Sequence, residues 1–491
     1  MSKQSEHLFD AITQADDRMV ENARVNKKRP RWRAITALAA CLALIIGITV
    51  WQPWHGGGIT GEVTGTAPVA LAQPVYPVMA AYPDESSFIK ADGEYDSDAS
   101  LEAFMAWSES VEKQTRQPEG YTDGLENYFG QSVRQFLSGD ENSNRAFSPV
   151  NVYMALAMLA ESTVGESRAQ ILDLLGADSI EALRAQASSV WNANYRDDGM
   201  TKSLLASSLW LRGGEDYNQA TMDSIAQNYY ASVFSGEMGS DAYDQMLQDW
   251  LNEQTGDLLS EQAAGEGFDP DTVIGLATTV AFHTKWTDPF LPEATEPGVF
   301  HAAAGDETAD FMHREEAMRG YYRGEHFGAI PEYLESGGTM WLILPDEGVT
   351  PEELLQDDDA IRFISGDISD WNSQLAIVNL SVPKFDAASQ CSLIEGLQAM
   401  GVTDVCDPAK ADFSPVRENA DGMYLTSANH AVRVAIDEEG VSAVAYTVMG
   451  GGLGAPDPEL WIDFNLDRPF LYVITGQQGV PLFTGIVNTI G

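Results

Sequence analysis

A chain of 491 residues with 44% hydrophobic and 21% charged side chains is too long for a peptide module and too apolar to be disordered throughout, and it has room for one large domain plus appendages. Its 74 Asp and Glu against 28 Lys and Arg give a net charge of -46, which excludes a nucleic-acid-binding surface because a phosphate backbone would be repelled.

The charge is unevenly spread. Residues 1–33 carry eight bases, five of them gathered as Lys27, Lys28, Arg29, Arg31 and Arg33, against five acids. Residues 34–51, AITALAACLALIIGITVW, then carry no charge. As a helix these 18 residues would be about 27 Å long, close to a bilayer core of roughly 30 Å. The basic flank holds the N-terminus inside by the positive-inside tendency, and Trp51 and Trp54 stand where an interfacial aromatic belt would be. The expectation is a short cytoplasmic segment (1–33), a single-pass signal anchor (34–51) and a folded part outside a bacterial cell membrane. Two alternatives stay open. Leu38-Ala39-Ala40-Cys41 resembles a bacterial lipoprotein box, although the apolar run continues past Cys41, and a cleaved signal would give a secreted protein, although the lead is long for one.

Residues 52–119 read as an extracellular linker or approach segment, rich in Gly and Pro and without a persistent period. Tyr76, Val78 and Met79 are more apolar than a free linker needs. The folded domain is expected over 120–491. SPVNVYMALAMLAEST (148–163) predicts a deeply buried helix capped by Ser148 with Pro149 in its first turn. VIGLATTVAF (273–282) and GTMWLILPDE (338–347) predict central strands, AIVNLSVPKF (376–385) an alternating strand, and 460–476 a strand, turn and strand. The fold class is α+β.

No nucleophile elbow, HExxH, phosphate loop or dinucleotide fingerprint occurs in the folded region. Gly450-Gly451-Gly452-Leu453-Gly454 is followed by Ala-Pro-Asp-Pro, which cannot open a helix on a phosphate. The seven histidines form no i,i+4 pair. No cofactor or metal is implied. A Cys391–Cys406 disulfide is permitted outside the cell, but a helix expected over 392–400 would hold the thiols apart.

Ser148-Pro149, Leu156–Leu159, Gly165, Gln170 and Leu174-Leu175 are followed in order by Phe282-His283-Thr284-Lys285-Trp286-Thr287-Asp288-Pro289-Phe290, Leu342–Pro345, Val382-Pro383-Lys384-Phe385 and Ala411–Ser414. The series ends with His430, Glu438-Glu439-Gly440, Asp467-Arg468-Pro469-Phe470 and Pro481–Gly485. This ordered set resembles the serpin superfamily over about three quarters of the chain. Thr278 stands where the family usually has Asn, which predicts a weakened buried polar contact, and Glu161–Val164 replaces a small, Gly-containing stretch.

The resemblance implies three sheets, eight or nine helices and an exposed reactive loop, in a protein that is a consumed suicide substrate and not an enzyme. A target protease would cut the loop and be carried off as an acyl-enzyme while the loop enters the large sheet. The loop hinge would be Glu438, Glu439 and Gly440 through Val441, Ser442, Ala443, Val444, Ala445, Tyr446 and Thr447. Period-2 alternation sends the small set Val441, Ala443, Ala445 and Thr447 to the inner face and Tyr446 outward. Neither Pro nor charge interrupts 441–454, although three glycines raise the entropy cost of ordering.

Loop spacing puts the reactive bond at Gly454-Ala455, with Leu453-Gly454 the neighbouring alternative. The partner implied is a serine protease of elastase-like or subtilisin-like preference. A trypsin-like target is disfavoured because 441–467 contains no Lys or Arg, and cysteine proteases stay open. Ser148, Trp286 and His430 are the residues the resemblance assigns to sheet opening. A monomer is expected. The runner-up is a noninhibitory, membrane-tethered binding protein on the same fold.

Overall fold

In the computed structural model the described residues are 67–366, 371, 373–441, 460–476 and 479–490. The expected cytoplasmic segment and anchor (1–51) lie outside them. Among the described residues no helix is long and apolar enough to cross a membrane.

The strands in chain order are β1 (Val69–Ala72), β2 (Arg145–Phe147), β3 (Arg196–Asp197), β4 (Lys202–Arg212), β5 (Ser232–Gly236), β6 (Ile274–Lys285), β7 (Thr295–Ala302), β8 (Gly305–Arg323) and β9 (Phe327–Tyr333). They continue with β10 (Thr339–Pro345), β11 (Ser373–Pro383), β12 (Phe385–Ser392), β13 (Leu425–Ile436), β14 (Gly440–Val441), β15 (Leu460–Asn465), β16 (Phe470–Thr475) and β17 (Pro481–Val487). One sheet has the order β1-β5-β4-β6-β14-β13-β12, with β3 on β4. The other runs β15-β11-β8-β9-β10-β16-β17-β2, with β7 on β8. Among the described residues the three sheets of the expectation are hydrogen-bonded into two. The 19-residue β8 runs continuously through the second, with an irregular register opposite Val378–Leu380 and Glu316 at φ 52°.

Eleven α-helices lie among the described residues. Two are single turns, Ser260–Ala263 and Pro351–Leu354, and one, α1 (Ser97–Thr115), precedes residue 120, which leaves eight in the expected domain. Helix α2 (Pro149–Glu161) forms where the cap signals place it: the Ser148 hydroxyl accepts from the Asn151 N–H, and Pro149 occupies the first turn. All 13 of its residues are buried, because it packs on β4 and β6 of one sheet and β17 of the other. A helix covered all round has no need of a polar face, so its sequence is apolar throughout. The strands β4 and β6 read alike for the same reason: α2 covers one face, and helix α5 (Asp241–Thr255), introduced after α3 (Ile180–Asn194) and α4 (Gln219–Asn228), packs on β6.

From residue 67 onward the stretch expected as linker is folded structure. β1 pairs antiparallel with β5 and so extends the first sheet. The Tyr76 ring stacks on Trp191 at 5.5 Å, and its hydroxyl donates to Gln254 Oε1 at 3.0 Å. Helix α1, capped by Asp96, buries Val111 and Thr115. Of the three residues too apolar for a free linker, Tyr76 and Met79 pack against the core, whereas Val78 is 91% exposed. Cys391 on β12 and Cys406 are free thiols, with helix Ile394–Ala399 between them, and burial pushes both up to about 11.

Candidate functional site

The first sheet is closed in its lower half and parted above. β6 and β13 pair in parallel from Ile274 opposite Leu425 to Thr279 opposite Ala431. Above that the short strand β14 lies between them, with Val441 opposite both Ile436 and Thr284 and Gly440 opposite Lys285. Beneath Val441 is a cavity of about 100 Å³ lined by Leu258, Phe282, Arg433, Val434, Ala435 and Phe483.

The hairpin that puts β14 there is built by Asp437, whose carboxylate accepts the N–H groups of Glu439 and Gly440 at 2.9 and 3.1 Å. Asp-x-x-Gly is a turn signal legible in the sequence, and it marks Asp437 as a residue that the family resemblance does not assign. Gly440 is required by close approach: a Cβ there would lie 2.3 Å from the Thr284 carbonyl oxygen. Trp286, 1% exposed, roofs the hairpin, donating from its indole to the Asp437 carbonyl at 2.9 Å and from its backbone to Glu439 at 3.0 Å. Glu438 turns the other way, onto Lys384 at 2.6 Å and the Thr295 hydroxyl at 2.7 Å. Partial burial opposes its ionisation, but these two partners outweigh that and hold the carboxyl below the ordinary glutamate range.

Ser148 and His430 meet in the closed half. Both are buried, and the imidazole Nε2 accepts the Ser148 N–H at 3.1 Å while its ring stands edge-on to Phe147. Burial drives the imidazole down to about 3, only partly opposed by the Thr278 backbone, so it is neutral at ordinary pH. The weakened contact expected at Thr278 is not found. Asn151, on α2, donates its amide to Thr278 Oγ1 and, at 2.8 Å, to the Thr279 carbonyl. The helix thus supplies the amide that the strand lacks. The Thr278 hydroxyl donates a hydrogen bond to the Ala206 carbonyl on β4, and the Thr279 hydroxyl one to the Ala431 carbonyl on β13. Glu161, the other departure, is a satisfied buried carboxylate. It receives both Arg184 bonds at 2.9 Å, Tyr229 at 2.9 Å and Ser224 at 3.0 Å, tying α2 to α3 and α4.

Trp286 and His430 are not neighbours. His430 lies opposite Thr278 and Trp286 follows Lys285, which puts them roughly 25 Å apart along the strand direction. The remaining expected residues, Ser442, Ala443, Val444, Ala445, Tyr446, Thr447, Leu453, Gly454 and Ala455, lie outside the described residues.

The serpin (serine protease inhibitor) family model matches residues 125–490. The chain belongs to the serpin family. Among its relatives, mouse alpha-1-antitrypsin 1-5 is 25% identical over 367 residues, covering 72% of this chain and 85% of that protein. Rice putative serpin-Z12 is 26% identical over 382 residues, covering 72% and 87%. The native state of tengpin, a thermophilic serpin, superposes with a TM-score of 0.67 at 24% identity, covering 77% of this chain and 96% of tengpin. A thyroxine-binding globulin complexed with thyroxine gives 0.65 at 18% identity, covering 74% and 99%. Membership makes the protein one of a family of protease inhibitors, whose targets are generally serine proteases, and not an enzyme. Residues 67–124 are structure that this serpin carries ahead of the matched region.

Proposed function

We propose that this serpin is a suicide substrate whose loop, cut by a protease, enters the first sheet between β6 and β13. The protease serine would attack the carbonyl carbon of Gly454, form an ester and release the amine of Ala455. Insertion of the segment from Ser442 onward would then carry the ester away before water hydrolyses it. The observation that carries the reading is the slot: two residues of the would-be strand already lie between β6 and β13, and Val441 is buried over an unfilled cavity. Val441 belongs to the small set expected to face inward, and it is buried.

The small and apolar residues around Gly454-Ala455 favour an elastase-like or subtilisin-like target. The same proposal includes the tether: residues 34–51 as a signal anchor in a bacterial membrane, with the inhibitor outside as a monomer. The test is incubation with elastase-like, subtilisin-like, trypsin-like and papain-like proteases, followed by mass measurement under denaturing conditions. A denaturation-resistant complex cut at 454–455 is expected from the first two. Clean cleavage without any complex would overturn the mechanism and leave a binding protein on the same fold.

A further inference from the structure

The edge of the second sheet that follows the loop carries an exposed apolar row. Met318 on β8, Ile377 on β11 and Trp461 on β15 are register partners across three adjacent strands, so their side chains stand side by side on one face. Trp461 is 57% and Met318 48% exposed, and both line one concavity, with Ile377 half-buried between them. Leu291, 60% exposed, lines the same open concavity of about 1100 Å³. Single exposed apolar side chains are ordinary, but a contiguous set around one concavity marks an interaction surface.

The rim of this concavity is acidic. Glu296, Glu315 and Glu316 line it and are exposed. One row along, Asp463 accepts from the Asn379 amide at 2.8 Å, which leaves its charge at the surface. The two guanidinium groups of the concavity do not cancel these charges. Arg314 and Arg319, each 12% exposed, are committed to Asp288 at 3.3 and 3.2 Å and to the buried Glu332.

We infer that this face is a docking surface for the target protease, selecting one with a cationic patch around an apolar centre. The inference rests on the loop being the point of attack. From Ala455 to Trp461 is six residues, at most about 22 Å of chain. A protease domain of about 200 residues has a radius of gyration near 16 Å and so a diameter of about 40 Å, which places a protease seated on the reactive bond within its own diameter of β15. Charge selects the partner: carboxylates around an apolar row attract a basic surface and raise its rate of encounter. A second copy of this chain, at a net charge of -46, would meet like charge instead.

The test measures the rate at which the loop bond is cut, with full-length protein, at about 20 mM and 300 mM salt. The probes are a cationic elastase-class protease and, as control, an anionic subtilisin-class one. The double variant Glu315→Gln/Glu316→Gln is expected to slow the cationic protease about 3–10-fold at low salt, with the difference closing at high salt. It should leave the unfolding temperature unchanged and not slow the anionic protease. Trp461→Ala should slow cleavage at both salts. Wild-type rates for both variants at both salts, or failure of the cationic protease to cut the loop, overturn the docking surface, as does a homodimer in solution burying Trp461. Because the readout is cleavage, the two readings separate. A salt-dependent difference without covalent complex sinks only the suicide mechanism, and covalent complex with no difference sinks only the docking surface.

Discussion

The two halves of the β6–β13 boundary are built from the same strands, yet one is closed and the other parted. In the lower half the strands pair directly, and polar bonds stitch them to what lies above and below: Asn151 to Thr278 and Thr279, Thr279 to Ala431, and Ser148 to His430. On the other face Glu266 accepts from Gln390 on β12 at 2.5 Å and from Asn429 on β13 at 3.3 Å. In the upper half there are two residues of β14, the Trp286 roof and a cavity. A strand entering from the top therefore meets little resistance at first and a hydrogen-bonded lock afterwards. Holding the sheet shut is the task of the lower half, and receiving the loop is that of the upper.

The strongest way to break this contrast is Val441→Arg. A guanidinium placed where Val441 is 2% exposed has no counter-ion on the cavity wall, and burying it unpaired costs several kcal/mol. Loop cleavage should persist while the covalent complex disappears on a denaturing gel. Next is the lock. Asn151→Ala leaves the Thr279 carbonyl and the Thr278 hydroxyl without their donor, for a loss of about 1–3 kcal/mol in chemical denaturation. Adding Thr278→Asn, which moves the amide to the strand, should recover part of that loss.

The imidazole gives a pH test. Its folded value of about 3 lies below the ordinary 6.5, so between those values the unfolded chain binds a proton that the folded chain refuses. Stability is then full above about pH 6.5 and is lost as pH falls toward 3, by about 2 kcal/mol between pH 7 and pH 5 from this group alone. His430→Gln should flatten that part of the stability curve, measured by denaturant midpoints. The smallest effect is Glu266→Ala, which removes bonds reaching both β12 and β13. It should cost about 1 kcal/mol and speed insertion after cleavage, since the charge-assisted clamp must release for the strand to pass.

Much of this was legible in sequence where one residue type has one physical use. Ser148-Pro149 can cap and start a helix, and the following apolar run can only be buried. Leu460–Asn465 and Phe470–Thr475 fall where a strand, turn and strand were expected. What could not be read depends on partners brought together from afar. The amide of Asn151 points at a strand 127 residues away, so Thr278 alone looked like a loss. Tyr76 and Met79 stand out as too apolar for a linker, but the surfaces they cover, Trp191 and the β3–β4 corner, lie more than a hundred residues away in sequence. The row Met318, Ile377 and Trp461 exists only once three strands are in register.

The central claim is that the parted upper half is the slot the cut loop fills. It is tested most directly by comparing the unfolding temperature of intact protein with that of protein nicked once at 454–455. A filled slot adds a buried strand with its ladder bonds and closes the cavity. The nicked form should unfold more than about 10 °C above the intact one, a gain of several kcal/mol for a domain of this size. An unchanged or lower unfolding temperature after the cut would contradict the account.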